Sequence, residues 1–343
     1  MLTRSLSIDY LKCLLAVGVV LGHSILISQR IEIWSYLVGG GLLRSLVPTF
    51  SVVSGFCFYV TYRNGRVLGW LIGLACAYLF WTAFYVPIWV NATTTWQDVL
   101  WSVAWGTMHL WYIAGLIVAA VLIVILIRLG QRTRTGLRPM LLAALTLGLA
   151  GSALSFWAFF QRPEMPMEYW RNGFTVIFPF AAIGFALAHR IDRQGFDWLP
   201  SARLLWALTG LIFGAKIAEA FVGMSVYGLN FSLLPDIPVL AFPAPMLLFL
   251  AFLRTTLPRL PVDLSSWSAS IYFLHIFFII AVQHFLGINS VAVFFAVGVV
   301  MPILGSIALS RARTILPRRL GGARSQASGG EGSAWQTLRA DQR

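Results

Sequence analysis

Charge is what this chain has least of. Only 11% of its 343 residues are charged, 12 of them acidic, while 59% are hydrophobic; an ordinary soluble domain carries about 25% charged residues. That shortage excludes a conventional water-soluble enzyme. Cysteine is also scarce. Cys13, Cys57 and Cys76 all fall inside apolar runs, at no spacing suited to a disulfide or a metal centre, and read as small buried hydrophobes. There is no glycine-rich phosphate loop, HExxH zinc signature or GxSxG elbow, which argues against an ATPase, a metalloprotease or a serine hydrolase. No internal repeat is visible, and no stretch between apolar runs has the length of a soluble domain.

What is present is a succession of apolar runs near the ~20 residues that cross a bilayer. Ten spans are expected, over residues 8–28, 38–62, 67–90, 109–129, 138–160, 173–190, 203–223, 237–254, 265–287 and 291–310. The fold class is therefore all-α, a polytopic membrane bundle of about ten transmembrane helices. The eighth run is interrupted by Pro238, Pro243 and Pro245, which membrane helices tolerate when neighbours satisfy the freed carbonyls. The first is read as a span and not a signal peptide, because Asp9 and Lys12 stand at its entrance and no small-x-small cleavage site follows.

Loop charge sets the orientation. Nineteen arginines fall on the side shared with the N-terminus and in the C-terminal segment, while only Arg30, Arg44, Arg162 and Arg171 fall on the other. Both termini are expected in the cytoplasm. The net charge of +13 is then a topology signal, and no nucleic-acid partner is expected. Residues 1–310 read as the membrane domain. Residues 311–343, rich in Gly, Ser and Arg, read as a disordered basic tail touching anionic head groups.

Polar groups within lipid are costly and mark function. Lys12 and His23 are eleven residues apart, about 1100° on a helix, or roughly 20° from superposition, and Asp9 lies about 40° to the other side. One face of the first span thus carries an acid, a cation and an imidazole. At about 1.5 Å per residue, His23 lies roughly 22 Å from the cytoplasmic side, and Asp9 is about 21 Å away from it. Any group that orients the imidazole must come from another helix. Glu219, at similar depth and in an i,i+3 pair with Lys216, is one candidate; the pair also reads as a self-neutralised packing feature. His275 lies near mid-membrane on a span that also carries Ser268, Ser270 and Tyr272. Ser54 falls in the inner half of the second span. His109, Trp111 and Tyr112 open the fourth, where Trp and Tyr also serve as interfacial anchors. Arg63 and Arg66 flank the cytoplasmic entry to the third span, where the positive-inside bias alone accounts for them.

The spacing Asp9-x-x-Lys12 with ten residues before His23, followed by Val47-Pro48-Thr49-Phe50 and Ser54-Gly55-Phe56, resembles the bacterial acyltransferase family 3. The likeness continues through His109-Leu110-Trp111-Tyr112, Arg171-Asn172-Gly173 with Phe178-Pro179-Phe180 and Gly184, and Ser270-Ile271-Tyr272-Phe273-Leu274-His275. Together these patches cover residues from about 7 to 285. The family usually has arginine where this chain has Lys12, which keeps the charge but loses the planar fork.

The resemblance implies an integral-membrane O-acyltransferase of surface or exported polysaccharide in the inner membrane. It implies acyl-CoA, with acetyl-CoA as the expected donor, as co-substrate, with no tightly bound cofactor and no metal. It further implies catalytic roles for His23, Glu219 and His275, and donor binding by Lys12, Asp9, Ser54, Arg63, Arg66 and Tyr272. Acceptor binding falls to His109, Trp111, Arg171 and Lys216. The partners implied are a polysaccharide or lipid-linked saccharide, membrane lipid, and polysaccharide synthesis or export machinery. The competing reading is a secondary transporter or proton-coupled flippase, because intramembrane His, Lys and Glu also build proton relays. The lack of an internal repeat counts against it.

Overall fold

In a computed structural model, the residues described are 6–30, 32–162, 164–227, 240 and 242–315. They contain helices and no strand. The helices are α1 (Leu6–Ser28), α2 (Ile33–Leu37), α3 (Leu46–Arg63), α4 (Val67–Phe84), α5 (Val86–Trp89), α6 (Trp96–Trp105) and α7 (Trp111–Arg132). They continue with α8 (Arg138–Gln161), α9 (Phe178–Gln194), α10 (Ala202–Tyr227), α11 (Pro243–Leu253), α12 (Leu264–Leu286) and α13 (Val291–Ile315). A π-helical turn, Val38–Leu42, and a short 3-10 turn, Leu43–Ser45, join α2 to α3, and a second π-helical turn, Gly173–Ile177, leads into α9.

Nine stretches among the described residues are long and apolar enough to cross a bilayer. The chain is an all-α, multi-pass membrane protein. The eighth expected span departs from this pattern. Its described helix is Pro243–Leu253, of 11 residues, about 16 Å at the helical rise and roughly half the hydrocarbon thickness. Pro243 and Pro245 explain where it starts: proline lacks the N–H that a preceding turn would use, so it is favoured at a helix's first positions. The expected start at 237 lies outside the described residues, as does the expected basic tail beyond 315.

Hydrogen bonds between helix ends fix an alternating path. At one end, Ser7 Oγ donates to the Thr255 carbonyl at 2.6 Å, Tyr10 Oη to that of Pro258 at 2.8 Å, and Gln131 Nε2 to Tyr62 Oη at 3.4 Å. There Asp192 also accepts from Arg63 and from Tyr59 Oη. At the other end, Asn289 Nδ2 donates to the Ser28 carbonyl at 3.2 Å. The first of these is the arginine-rich end.

The bundle is held together by close helix crossings. A Cβ on Gly55 of α3 would fall on the Ala181 carbonyl of α9, and one on Gly184 of α9 would fall on the Val52 carbonyl of α3. Reciprocal glycines let the two backbones touch, which is how membrane helices gain packing where lipid supplies no hydrophobic drive. Around this crossing lies the largest core, with Val52, Phe56, Phe180, Phe185 and Phe249 all buried. A second core joins α1 to α12 and α13 through Ala16, Val20, Ile271, Ile279 and Phe294. Phe50 of α3 packs against both cores, and a third core of Tyr78, Tyr85, Leu110, Ile113 and Ile276 joins α4, α7 and α12.

Candidate active site

His23 on α1 faces α12. Its Nδ1 lies 2.9 Å from Nε2 of His275, with the rings stacked at 5.0 Å between centres. His275 is fully buried, and its Nδ1 lies 2.8 Å from the Ile271 carbonyl and 2.9 Å from that of Tyr272. Carbonyl oxygens only accept, so His275 Nδ1 carries a proton. In the neutral ring its Nε2 is then a bare acceptor. His23 Nδ1 must therefore donate, which leaves the lone pair of the neutral pair's other ring nitrogen, His23 Nε2, uncommitted. One helix carbonyl pair thus sets the tautomers of two imidazoles in series.

A third histidine completes the cluster. The His109 ring centre lies 5.0 Å from that of His275 and 6.4 Å from that of His23. It is 3% exposed, and neither of its ring nitrogens makes a hydrogen bond of ordinary geometry among the described residues. The turn before it forces this placement: Gly106 has φ +91° and Met108 φ +51°. Tyr272 Oη donates to the His109 carbonyl at 2.8 Å and ties the turn to α12.

His23, His109 and Tyr272 line a cavity of about 610 Å³, bounded by α1, α3, the segment before α3, α7, α8 and the stretch from Met165 to Arg171. Its polar members include His23, Arg44, His109, Tyr112, Ser155, Glu168, Arg171 and Tyr272. The Arg171 guanidinium sits over the Trp111 ring at 5.3 Å. Ser54 does not line the cavity; its Oγ lies 2.8 Å from Oη of Tyr112, which does. The described residues hold no group of three or more His, Cys, Asp or Glu placed to hold a metal ion. An uncommitted imidazole nitrogen in a mostly apolar cavity suits proton transfer to and from a hydroxyl, or attack on a carbonyl.

The chain belongs to acyltransferase family 3. The family model, described as an acyltransferase domain, matches residues 5–311, the whole bundle described above. No curated protein and no solved structure matches the chain.

Within this family 3 acyltransferase, the sequence candidates separate into groups. His23, His109, Trp111, Arg171 and Tyr272 share the cavity wall, with His275 directly behind His23. Lys12 and Asp9 stay together near the arginine-rich end, with Nζ to Oδ1 at 3.8 Å. Arg63 pairs with Asp192, and Arg66 precedes α4 at the same end. Lys216 and Glu219 are on α10, whose backbone packs against Gly41, and neither lines the cavity. Lys216 is 1% exposed, and its Nζ makes no hydrogen bond among the described residues.

Three cavity groups escaped the sequence reading. Arg44 carried a signal, being one of the few arginines on the sparse side. Ser155 and Glu168 carried none, because a serine in an apolar run and an acid in a loop are both ordinary there.

Proposed function

We propose that this acyltransferase moves an acyl group, acetyl in this reading, from a cytoplasmic acyl-CoA to a hydroxyl of an exported polysaccharide or lipid-linked sugar. It does so in the inner membrane, with the arginine-rich end and both termini in the cytoplasm. The observation that carries the reading is the tautomer chain from Ile271 and Tyr272 through His275 to His23, which leaves a basic nitrogen on a cavity wall within a family of acyltransferases.

His23 Nε2 takes the proton of the acceptor hydroxyl while that oxygen attacks the thioester carbonyl carbon. The tetrahedral adduct then expels the thiol sulfur as the C–S bond breaks, and the proton passes from His23 to the thiolate. His275 holds the imidazole in register and accepts from Nδ1 throughout, the orienting role that general bases commonly need. Lys12, Arg63 and Arg66 attract the phosphates of the donor, and Asp9 steadies Lys12. Ser54 and Tyr272 flank the thioester's path. The acceptor enters beside His109, Trp111 and Arg171, with Lys216 contributing positive potential from behind. The donor is a co-substrate released each turn, so no tightly bound cofactor is required. Coupling to polysaccharide synthesis or export machinery would supply the acceptor.

The decisive experiment is His23→Ala. The variant should accumulate in the membrane at the native level while acyl groups disappear from the surface glycan by mass analysis. Retention of those acyl groups would overturn the assignment. Solute uptake by vesicles without any acyl donor would instead favour a transporter.

A further inference from the structure

A second, smaller pocket of about 200 Å³ adjoins the cavity. Trp89, Trp101, Ser102, Trp105 and Thr107 line it, and Glu168 lines both it and the cavity. That volume is below the roughly 300–1,000 Å³ of a site that swallows a drug-sized ligand. It suits one ring of a longer molecule whose remainder lies elsewhere.

The lining has the chemistry of sugar recognition. Three indoles converge here, the Trp101 and Trp105 rings 5.3 Å apart and tilted by 49°, so they present faces at an angle to whatever enters. Indole faces take the C–H side of a sugar ring, and a polar rim takes its hydroxyls. That rim is uncommitted. The Glu168 carboxylate has no hydrogen bond or ion pair among the described residues; only its backbone carbonyl is used, by Asn172 Nδ2 at 2.9 Å. Thr107 is 6% exposed, and its buried Oγ1 has no partner among the described residues.

Tryptophans at a membrane surface also serve as plain anchors, and the exposed Trp96 on the same helix, 69% exposed, fits that role. Trp105 and Trp89 differ from it, being half-buried against a pocket that holds an acid. A carboxylate there disfavours both an anionic lipid head group and an acidic sugar.

We propose that the pocket of Trp89, Trp101, Trp105, Thr107 and Glu168 is a subsite for an uncharged sugar ring next to the one that is acylated, so that the acceptor is a saccharide chain and not a single sugar. This rests on the glycan acyl-transfer reading above. The strand would cross the cavity mouth at Glu168, whose two oxygens can accept hydroxyls from both rings.

The test uses the full-length protein in lipid nanodiscs with radiolabelled acetyl-CoA. The acceptors are fragments of increasing length, cut from the surface glycan of cells lacking this gene. Native protein should acylate longer fragments with higher kcat/KM than the shortest one. Trp101→Ala and Trp105→Ala should lose roughly 3- to 10-fold on the long fragments, the scale of a lost aromatic contact, and nothing on the shortest. Trp105→Phe should recover most of the loss, and Glu168→Gln should raise KM for long fragments. If native activity has no length dependence, or the alanine variants keep it, the subsite is wrong and the indoles are anchors. If native protein transfers to no fragment, the glycan reading itself falls, and the subsite with it.

Discussion

His23 and His275 stand 252 positions apart in the chain and 2.9 Å apart at their ring nitrogens. The contact joins the first helix to the twelfth, and the polarity of the pair is dictated by backbone carbonyls one turn earlier on α12. His275→Ala would remove the acceptor that holds His23 in its tautomer and leave the Nδ1 proton unpaired. Thioester cleavage should fall by about 10²-fold in kcat, in line with the loss of a general-base arrangement, with KM for the donor little changed. Steady-state kinetics on purified protein checks both. A large KM change with intact kcat would make His275 a binding group instead.

His109 carries a different expectation. A buried polar group without a partner costs about 1–3 kcal/mol, and an apolar replacement of similar shape can be neutral or stabilising. His109→Leu should therefore hold or raise the melting temperature in detergent while lowering turnover. Thermal unfolding and activity measured on one preparation would reveal this split. If stability and activity fell together, the histidine would be a structural part of the turn.

The bundle was legible in the sequence because apolar run length is a local property. So was the importance of His23, since an imidazole on a greasy helix face needs a reason. Its partner was not legible. Helical depth arithmetic ruled out Asp9 and put Glu219 level with His23, while His275 was placed only near mid-membrane, because depth along a helix says nothing about which helix stands beside which. That choice is made by glycine crossings and by which helix packs against α1. The half-length α11 was hidden for a related reason: three prolines announce an interruption but not where the helix resumes. The indole pocket was hidden because Trp89, Trp101 and Trp105 look like interface anchors until Glu168, from a loop some sixty residues later, is set against them.

The α3–α9 crossing gives a stability prediction. Gly55→Val and Gly184→Val would each place side-chain atoms where the partner helix's carbonyl already lies. Overpacking of this kind costs about 1–3 kcal/mol or more, and backbone is the least yielding neighbour. Both variants should accumulate poorly and unfold at lower temperature. Gly69→Val and Gly73→Val, on α4 where a Cβ meets nothing within 4 Å, should be nearly silent. Equal effects at the two pairs of sites would show that the crossing is not tight.

Arg63 is shared between two demands. Asp192 pairs with it, but the arginine side chain remains 42% exposed, and a pair this open contributes about 0–1 kcal/mol. Asp192→Asn should leave the melting temperature almost unmoved while freeing the guanidinium for donor phosphates, so KM for acyl-CoA should fall. Arg63→Ala should raise it several-fold, and the gap between the variants should narrow with added salt, because exposed charges are screened over about 10 Å at 0.1 M. Donor titrations at two ionic strengths measure this. If KM is unchanged in both variants, Arg63 serves only topology.

Gly106 and Gly65 offer a comparison of two positive-φ glycines in different surroundings. Both adopt positive φ, +91° and +69°, but Gly106 combines it with ψ 131°, an extended positive-φ conformation that L-residues avoid. A Cβ at Gly65 would meet nothing within 4 Å, whereas one at Gly106 would run into the Trp111 backbone at the start of α7. Gly65→Ala should therefore show only the conformational cost, in stability, with activity intact. Gly106→Ala should add a steric cost and push on the turn that holds His109 between Tyr85, Tyr272 and His275. Its activity should drop further than its stability does. Melting curves and turnover for both variants decide the matter: a matched loss in the two would mean that α7 shifts freely to admit the methyl group, and that the turn does not fix the third histidine.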